Sequence, residues 1–273
     1  MRNLEISCRS FEEGYCRTKD LLIHYTRTGT GKPPIVLLHG LAANGMCWKR
    51  IAQGLSDHFD AIMPDARGHG KSGVPDEGYT YEVLKSDLIA FLSEMNLSNV
   101  VLVGHSMGGL TAAMAACQSP LIRAVILADP TFLSLERQRE VWESDVIGQH
   151  RKMLAKSVGE LIADRKNAHP DRSDECNERI AAARLQTSKK AFGILAPPNP
   201  DYRQIVKQIG CPCLLLYGER GIISDEQAEG ISKMNSLVRA EKIRNAGHGI
   251  YLDQPVQFVN SIIKFVDDAE REA

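Results

Sequence analysis

The chain has 273 residues, with 33 basic and 34 acidic side chains, a net charge of −1 and 43% hydrophobic residues. This composition is that of an ordinary globular protein, and it excludes a disordered or fibrous chain. The near-zero net charge and the lack of a basic block argue against nucleic acid as a partner. The length suits one large α/β domain with room for an inserted lobe.

The cysteines and the N-terminus favour a cytoplasmic protein. The closest cysteine pair, Cys211 and Cys213, lacks the two-residue spacer of a redox or zinc motif, so free thiols in a reducing compartment are expected. Residues 1–5 contain no apolar core of signal-peptide length. Residues 95–122 carry no charge, but their glycines and polar side chains favour a buried strand, turn and helix, so no membrane span is expected. The cysteines are scattered and odd in number: Cys8, Cys16, Cys47, Cys117, Cys176, Cys211 and Cys213.

Short apolar runs predict the strands of a parallel sheet. They are apolar throughout rather than alternating, as in strands that are covered on both faces. Amphipathic helices are predicted over residues 81–95 and 255–266. Strand and helix alternation of this kind predicts a doubly wound parallel sheet. The apolar runs are residues 35–38, 61–63, 100–103, 125–127 and 214–217.

This alternation stops over residues 131–205, where helical patterns continue without a strand-like run. Residues 134–190 hold 22 charged side chains in 57 positions. The sequence therefore predicts a helical lobe inserted into a sheet domain made of residues 1–130 and 206–273. Two interpretations of the aromatic side chains of the lobe stay open: they line an apolar substrate pocket, or they only pack the lobe onto the core. They include Phe132, Trp142 and Phe192.

The predicted strand at 100–103 leads into Gly104-His105-Ser106-Met107-Gly108-Gly109, and an alanine-rich segment follows. This is the pattern of a nucleophile elbow, in which a strained turn exposes the serine hydroxyl and glycines allow close packing around it. Ser106 is therefore the predicted nucleophile. The backbone amides of Met107 and of Leu41, which follows the strand at 35–38, are the predicted donors of an oxyanion hole.

A serine hydroxyl needs a histidine to take its proton. Among eight histidines, His248 is favoured because it lies in a late loop, Ala246-Gly247-His248-Gly249, that precedes a predicted helix. The turn at Ser106 is expected to point the His105 side chain away from the hydroxyl. His39 and His69 lie in loops near the same sheet edge, and we expect them to shape the site.

Four motifs follow one another in the chain: His39-Gly40-Leu41, the run P-D-A-R-G-H-G-K-S over 64–72, the elbow at 104–109, and Ala246-Gly247-His248. Together they resemble the α/β-hydrolase fold family, over residues 20–268. The resemblance implies a mostly parallel, eight-stranded sheet with one antiparallel strand near the N-terminus. It also implies a helical cap after the sixth strand, where the charged insertion lies, and a bracing role for Asp65 and Arg67.

The acid of the expected triad departs from the family pattern. Most members have an aspartate three residues after the glycine that ends the penultimate strand, but after Gly218 this position is Gly221. Asp129 is the favoured replacement, because it ends the strand that lies beside the nucleophile strand in the family topology and keeps the order Ser, Asp, His. Glu219 is the alternative, although it lies two residues before the usual position.

These features predict a serine hydrolase acting on a small-molecule ester or lactone, with no metal or cofactor. Hydrolysis of amides or of carbon–carbon bonds uses the same fold and remains an alternative. A catalytically weak receptor or scaffold member is a further alternative, which Ser106 and His248 disfavour. Epoxide hydrolases and haloalkane dehalogenases are disfavoured because, by family analogy, they use an aspartate where this chain has Ser106.

Overall fold

The structure, a computed structural model, describes residues 11–272 of the chain. Cys8 and the N-terminal residues discussed above lie outside the described residues. The six cysteines within the described part carry free thiols. Within residues 11–272, no helix is both long enough and apolar enough to cross a membrane.

The core of the protein is one eight-stranded sheet, whose strands are β1 (Glu12–Arg17), β2 (Leu22–Arg27), β3 (Pro34–Leu38), β4 (Asp60–Pro64), β5 (Val100–His105), β6 (Ile122–Ala128), β7 (Cys213–Arg220) and β8 (Val238–Gly247). Their spatial order is β1-β2-β4-β3-β5-β6-β7-β8. β2 is antiparallel to both of its neighbours, β1 and β4. All other adjacent pairs are parallel. This confirms the mostly parallel sheet with one antiparallel strand near the N-terminus.

Helices cover both faces of the sheet, and each face has its own hydrophobic cluster. On one face, Leu84, Leu88 and Phe91 pack with the alanines that follow the elbow. On the other face, Ile51 and Leu55 pack with Phe258, Ile262 and Phe265. The helices of the sheet domain are α1 (Lys49–Leu55), α2 (Tyr81–Glu94), α3 (Met107–Ala116), α9 (Asp225–Met234), α10 (Ile250–Asp253) and α11 (Pro255–Glu272).

The segment between β6 and β7 is helical, as the sequence predicts. It contains α4 (Leu135–Glu143), α5 (Val146–Leu154), α6 (Val158–Ala168), α7 (Asp174–Leu185), a 3-10 segment (Lys189–Leu195) and α8 (Tyr202–Gln208). The sequence-based boundary at 205/206 falls inside α8. Because Tyr202 and Val206 of this helix belong to the core cluster beside the sheet, that boundary is too late, and α8 packs with the sheet domain.

Candidate active site

Ser106 occupies a tight turn between β5 and α3. Its backbone has φ 54° and ψ −117°, a conformation that a non-glycine residue adopts only when its surroundings impose it. The flanking glycines are required by close packing: a Cβ on Gly104 would lie 2.1 Å from the Gly108 carbonyl oxygen, and one on Gly108 would lie 2.5 Å from that of Leu38. The elbow therefore holds Ser106 at the end of the sheet where the parallel strands terminate.

His248 follows β8 and lies between Ser106 and Asp129. Its Nε2 is 3.0 Å from the Ser106 Oγ, and its Nδ1 is 2.6 Å from Oδ2 of Asp129. Both distances are those of hydrogen bonds. The three side chains predicted from the sequence are thus brought together, with the imidazole in contact with both the hydroxyl and the carboxylate.

The Asp129 carboxylate is fully buried at the end of β6. Besides contacting His248, it accepts hydrogen bonds from the backbone amides of Ile222 at 2.9 Å and Ile223 at 3.2 Å. A Cβ on Gly221 would lie 2.5 Å from its Oδ1. The glycine at the family's usual acid position therefore leaves room for the carboxylate that arrives from the neighbouring strand.

Glu219, the alternative acid, faces another direction. Its Oε2 accepts a hydrogen bond from the Asn245 backbone amide at 2.9 Å, on the exposed side of β8. Asp225, farther along, accepts a hydrogen bond from the Tyr217 hydroxyl at 3.0 Å and pairs with Lys242 at 2.5 Å. Of these three carboxylates, Asp129 is the one that contacts His248.

The loop after β3 passes close to the nucleophile. A Cβ on Gly40 would lie 3.1 Å from the Ser106 Cβ, so glycine lets this loop approach. Met107 begins α3 directly after Ser106. Within residues 11–272, the amides of Leu41 and Met107 donate to no protein acceptor, which leaves both free to bind an oxyanion.

Two buried histidines brace the loop that carries Leu41. His39 donates from Nδ1 to the Gly40 carbonyl at 2.8 Å and accepts at Nε2 from the Ala66 amide at 3.0 Å. His69 donates from Nδ1 to the Arg67 carbonyl at 2.9 Å and accepts at Nε2 from the Ala42 amide at 3.3 Å. Burial lowers the pKa of His39 and lowers the pKa of His69 to about 3. Both rings are therefore neutral braces between two loops.

Asp65 and Arg67 also brace these loops, as the resemblance implies. Asp65 accepts hydrogen bonds from the Gly45 amide at 2.7 Å and from the Lys71 amide at 2.9 Å. Arg67 forms a two-point ion pair with Asp87 at 2.6 and 2.7 Å. Neither side chain contacts Ser106 or His248.

The His105 ring points away from the Ser106 hydroxyl. Its Nε2 donates a hydrogen bond to the backbone carbonyl of His248 at 2.8 Å, and the rings of His105 and Tyr251 meet edge to face at 5.1 Å. Burial, together with the neighbouring His248 ring, lowers the pKa of His105 well below its ordinary value. His105 is thus a neutral donor that fixes the backbone of the catalytic candidate His248.

A cavity of about 830 Å³ opens above Ser106 and His248. Its floor is the elbow and the loop over 40–43, and its roof includes α6, α7 and the turn between them. The charged residues that line it are Arg165, Asp171, Arg172, Arg184, Arg220 and Asp253. Within residues 11–272, no group of three or more histidine, cysteine or acidic side chains is arranged to hold a metal ion.

Of the two interpretations of the aromatic residues in the insertion, the structure favours packing, because Phe132, Trp142 and Phe192 do not line this cavity. Phe132 is 1% exposed and stacks on Tyr202, with ring centroids 5.0 Å apart. Phe192 is buried against the ring of His150 at 4.5 Å. Trp142 lies on the outer side of α4 and is 43% exposed. Phe132 and Phe192 serve packing, and the cavity wall combines apolar side chains with charged ones, among which arginines outnumber acids.

Comparison with known proteins agrees with this fold. A family model described as alpha/beta hydrolase fold matches residues 33–255. The chain therefore belongs to the α/β-hydrolase fold family, and hydrolase is the class of activity that this membership supports.

Several members of known activity are similar to the chain. Epoxide hydrolase 3 of Xenopus tropicalis is 28% identical in an alignment that covers 93% of this chain and 77% of that protein. N-formylmaleamate deformylase of Pseudomonas putida is 27% identical over 254 residues, covering 89% and 92%. The crystal structure of E-2-(acetamidomethylene)succinate hydrolase superposes with a TM-score of 0.82 at 20% identity, covering 94% of this chain and all of that one. This last similarity concerns the fold alone.

Proposed function

We propose that the protein is a serine hydrolase that cleaves a carboxylic ester or lactone through an acyl-enzyme intermediate. The observation that carries the proposal is the unbroken hydrogen-bonded series from the Ser106 Oγ through His248 to the buried Asp129, at 3.0 and 2.6 Å. A serine hydroxyl becomes a useful nucleophile when a positioned histidine accepts its proton. The strained turn at Ser106 supports the same role, since it exposes the hydroxyl to the cavity.

In the acylation step, the Ser106 Oγ attacks the substrate carbonyl carbon while His248 Nε2 takes the hydroxyl proton. The carbonyl oxygen becomes an oxyanion, which the amides of Leu41 and Met107 bind. As the carbon–oxygen bond of the ester breaks, His248 returns the proton to the leaving alkoxide, and the acyl group stays on Ser106. Removing one such amide donor typically costs about 3–4 kcal/mol of transition-state stabilisation.

In the deacylation step, water attacks the acyl-enzyme and His248 takes its proton. The same donors bind the second oxyanion, and the proton then returns to Ser106 as the acid leaves. Asp129 holds the proton on Nδ1, so that Nε2 of the neutral ring can accept, and it stabilises the imidazolium that forms. Its two backbone amide donors keep the carboxylate in position for this contact.

The nucleophile makes epoxide opening a poor fit, although one relative is named as an epoxide hydrolase. Attack of a serine on an epoxide would give an ether, which the oxyanion hole and an activated water do not cleave. A carboxylate nucleophile would give an ester, which the oxyanion hole and an activated water can hydrolyse. Ser106 therefore favours acyl substrates, in which the intermediate is an ester that can be hydrolysed.

Hydrolysis of an acyl–nitrogen bond is the second candidate. It is favoured by the similarity to a protein named as a deformylase and to one named as an acetamidomethylene succinate hydrolase. The fold also supports cleavage of carbon–carbon bonds.

A substrate panel decides between these reactions. We expect p-nitrophenyl butyrate and a six-membered lactone to be hydrolysed with a kcat/KM about 100-fold above that of the matched anilide. The Ser106→Ala variant serves as the control and is expected to lose this activity. Efficient cleavage of a diketone or of the anilide, with no esterase activity above that of Ser106→Ala, would refute the ester assignment.

A further inference from the structure

The cavity wall contains a buried guanidinium group without a counter-ion. Arg165 of α6 is only 9% exposed. Its Nε is buried and has no hydrogen-bond partner. Nowhere in the described range 11–272 does its side chain meet a carboxylate or another acceptor. Arginine is almost never buried in this way unless it is paired, because removing a charge from water is unfavourable.

A second arginine faces the same cavity without an acidic partner. Arg184 of α7 has one polar side-chain contact among the described residues, a weak one of 4.0 Å from Nη1 to the sulfur of Met153. Burial and the nearby Arg172 lower its pKa. Arg184 is thus a second cation that the protein leaves unneutralised.

The remaining charged groups around the cavity do not supply the missing anion. Arg172 forms an ion pair with Asp253, in which the Arg172 Nη2 lies 2.7 Å from the Asp253 Oδ1. Asp171 is exposed in the turn between α6 and α7. Burial raises the pKa of the Cys47 thiol to about 11 and also raises that of Cys176, so both thiols are neutral. Arg220 also lines the cavity but is exposed to solvent. Apart from it, two guanidinium charges remain in excess, those of Arg165 and Arg184.

We propose that Arg165 and Arg184 bind a carboxylate group of the substrate, so that the substrate is an ester or lactone that also carries a free acid. The substrate class rests on the proposed function, because Ser106 opens into this same cavity. The planar fork of a guanidinium matches the two oxygens of a carboxylate and binds them with charge-assisted hydrogen bonds. Burial and the neighbouring Arg184 and Arg172 lower the pKa of Arg165 to about 10, which leaves it charged at neutral pH.

The first test compares a charged ester with a neutral one. Mono-p-nitrophenyl glutarate carries a free carboxylate, and its methyl ester is the neutral counterpart. We expect the wild type to prefer the acid, and Arg165→Met or Arg184→Met to reduce the ratio of the two kcat/KM values about 10- to 100-fold, mainly through KM. Arg151→Met on the exposed side of α5 removes the same charge outside the cavity and is expected to keep the ratio.

The second test measures binding without chemistry. We expect glutarate to bind the Ser106→Ala variant in calorimetry, and the added Arg165→Met or Arg184→Met substitution to weaken this binding at least tenfold. Inorganic phosphate is the comparison anion. The carboxylate assignment would be refuted if phosphate bound more tightly than glutarate and its binding were weakened by the same arginine substitutions. It would also be refuted if neither substitution weakened glutarate binding.

The two tests separate the inference from the proposed function. If no ester is hydrolysed but glutarate binds through both arginines, the anion site stands and the esterase proposal fails. If neutral esters are hydrolysed as well as acidic ones and glutarate does not bind, the esterase proposal stands and the anion site fails. Circular dichroism of each variant establishes that the fold is retained.

Discussion

The Asp129 carboxylate is held by His248 and by the amides of Ile222 and Ile223. In the proposed mechanism, this arrangement lets Asp129 act as the acid that fixes the histidine tautomer. We predict that Asp129→Asn lowers kcat about 1000-fold or more without unfolding the protein, because the amide can present its NH₂ to Nδ1 and so stabilise the wrong tautomer. Steady-state ester hydrolysis measures this loss.

Glu219→Gln is the matched control for that substitution. Its carboxylate contacts the Asn245 amide rather than His248, so we expect a loss of less than tenfold. A large loss in Glu219→Gln with little loss in Asp129→Asn would reverse the assignment of the acid.

Gly221 gives a second prediction at the scale of single residues. Because its Cβ would lie 2.5 Å from Oδ1 of Asp129, Gly221→Ala must displace the carboxylate. We expect kcat to fall about 10- to 100-fold, since small misplacements of catalytic groups have effects of this size. Gly210→Ala, where a Cβ meets nothing within 4 Å, is the control. Equal activity of the two variants would contradict this account of Gly221.

At the same two positions the acid can be exchanged between strands. Asp129→Gly alone is expected to lose the acid, and the combination with Gly221→Asp places a carboxylate at the family's usual position. We predict that the double variant has a kcat at least tenfold higher than that of Asp129→Gly alone. No recovery would show that the surroundings of position 221 no longer accept an acid.

At the scale of elements, the proposed anion site on α6 lowers the stability of the protein without ligand, because Arg165 is unpaired there. An unpaired guanidinium in a nine-tenths buried position costs free energy in the folded state. We therefore predict that Arg165→Met raises Tm by about 2–4 °C in the absence of ligand, which corresponds to about 1 kcal/mol in a protein of this size. Thermal unfolding of Arg165→Met and of the exposed Arg151→Met tests this. A lower Tm in Arg165→Met alone would mean that the guanidinium supports the fold.

The same scale shows what local sequence patterns predict. The apolar runs over 35–38 and 100–103 correctly predicted β3 and β5, because strands covered on both faces need apolar side chains throughout. β1 is an edge strand and β2 lies next to it, and both bury only part of their residues, so this criterion missed them. The arginines of the cavity were missed for a related reason: which charged side chains of α6 and α7 face inward depends on how these helices pack.

At the scale of the whole molecule, the buried neutral histidines make stability depend on pH. Burial lowers the pKa of His39, His69 and His105 below the unfolded value of 6.5. Below pH 6.5 the unfolded chain therefore binds more protons than the folded one. The stabilisation is complete above pH 6.5 and is lost as the pH falls towards the folded values.

We predict that the free energy of unfolding, measured with denaturant, decreases between pH 6.5 and pH 5. The slope should approach about 1.4 kcal/mol per pH unit for each histidine that titrates only on unfolding. This range lies above the ordinary pKa of carboxylic acids, so it isolates the histidines. His69→Gln is expected to have a smaller slope, and a flat profile in the wild type would contradict neutral burial.

Much of the site was predictable because its geometry is set by short motifs and by topology. The elbow places Ser106, and a late loop places His248. Asp129 followed from Gly221, since a missing acid in one strand directs attention to the next. The role of the aromatic residues in the insertion stayed open in the sequence, and packing is favoured for a physical reason: Phe132 and Phe192 are large apolar side chains, and burying them in packing yields more free energy than lining a cavity that contains charged side chains.

The central claim is that Ser106 is the nucleophile of this protein, and covalent labelling tests it most directly. A fluorophosphonate probe reacts with a serine that a histidine has activated. Intact-mass spectrometry should show one adduct on the wild type, mapped by peptide analysis to Ser106, and none on Ser106→Ala. A wild-type protein that resists the probe as fully as Ser106→Ala, or an adduct on another residue, would contradict the account.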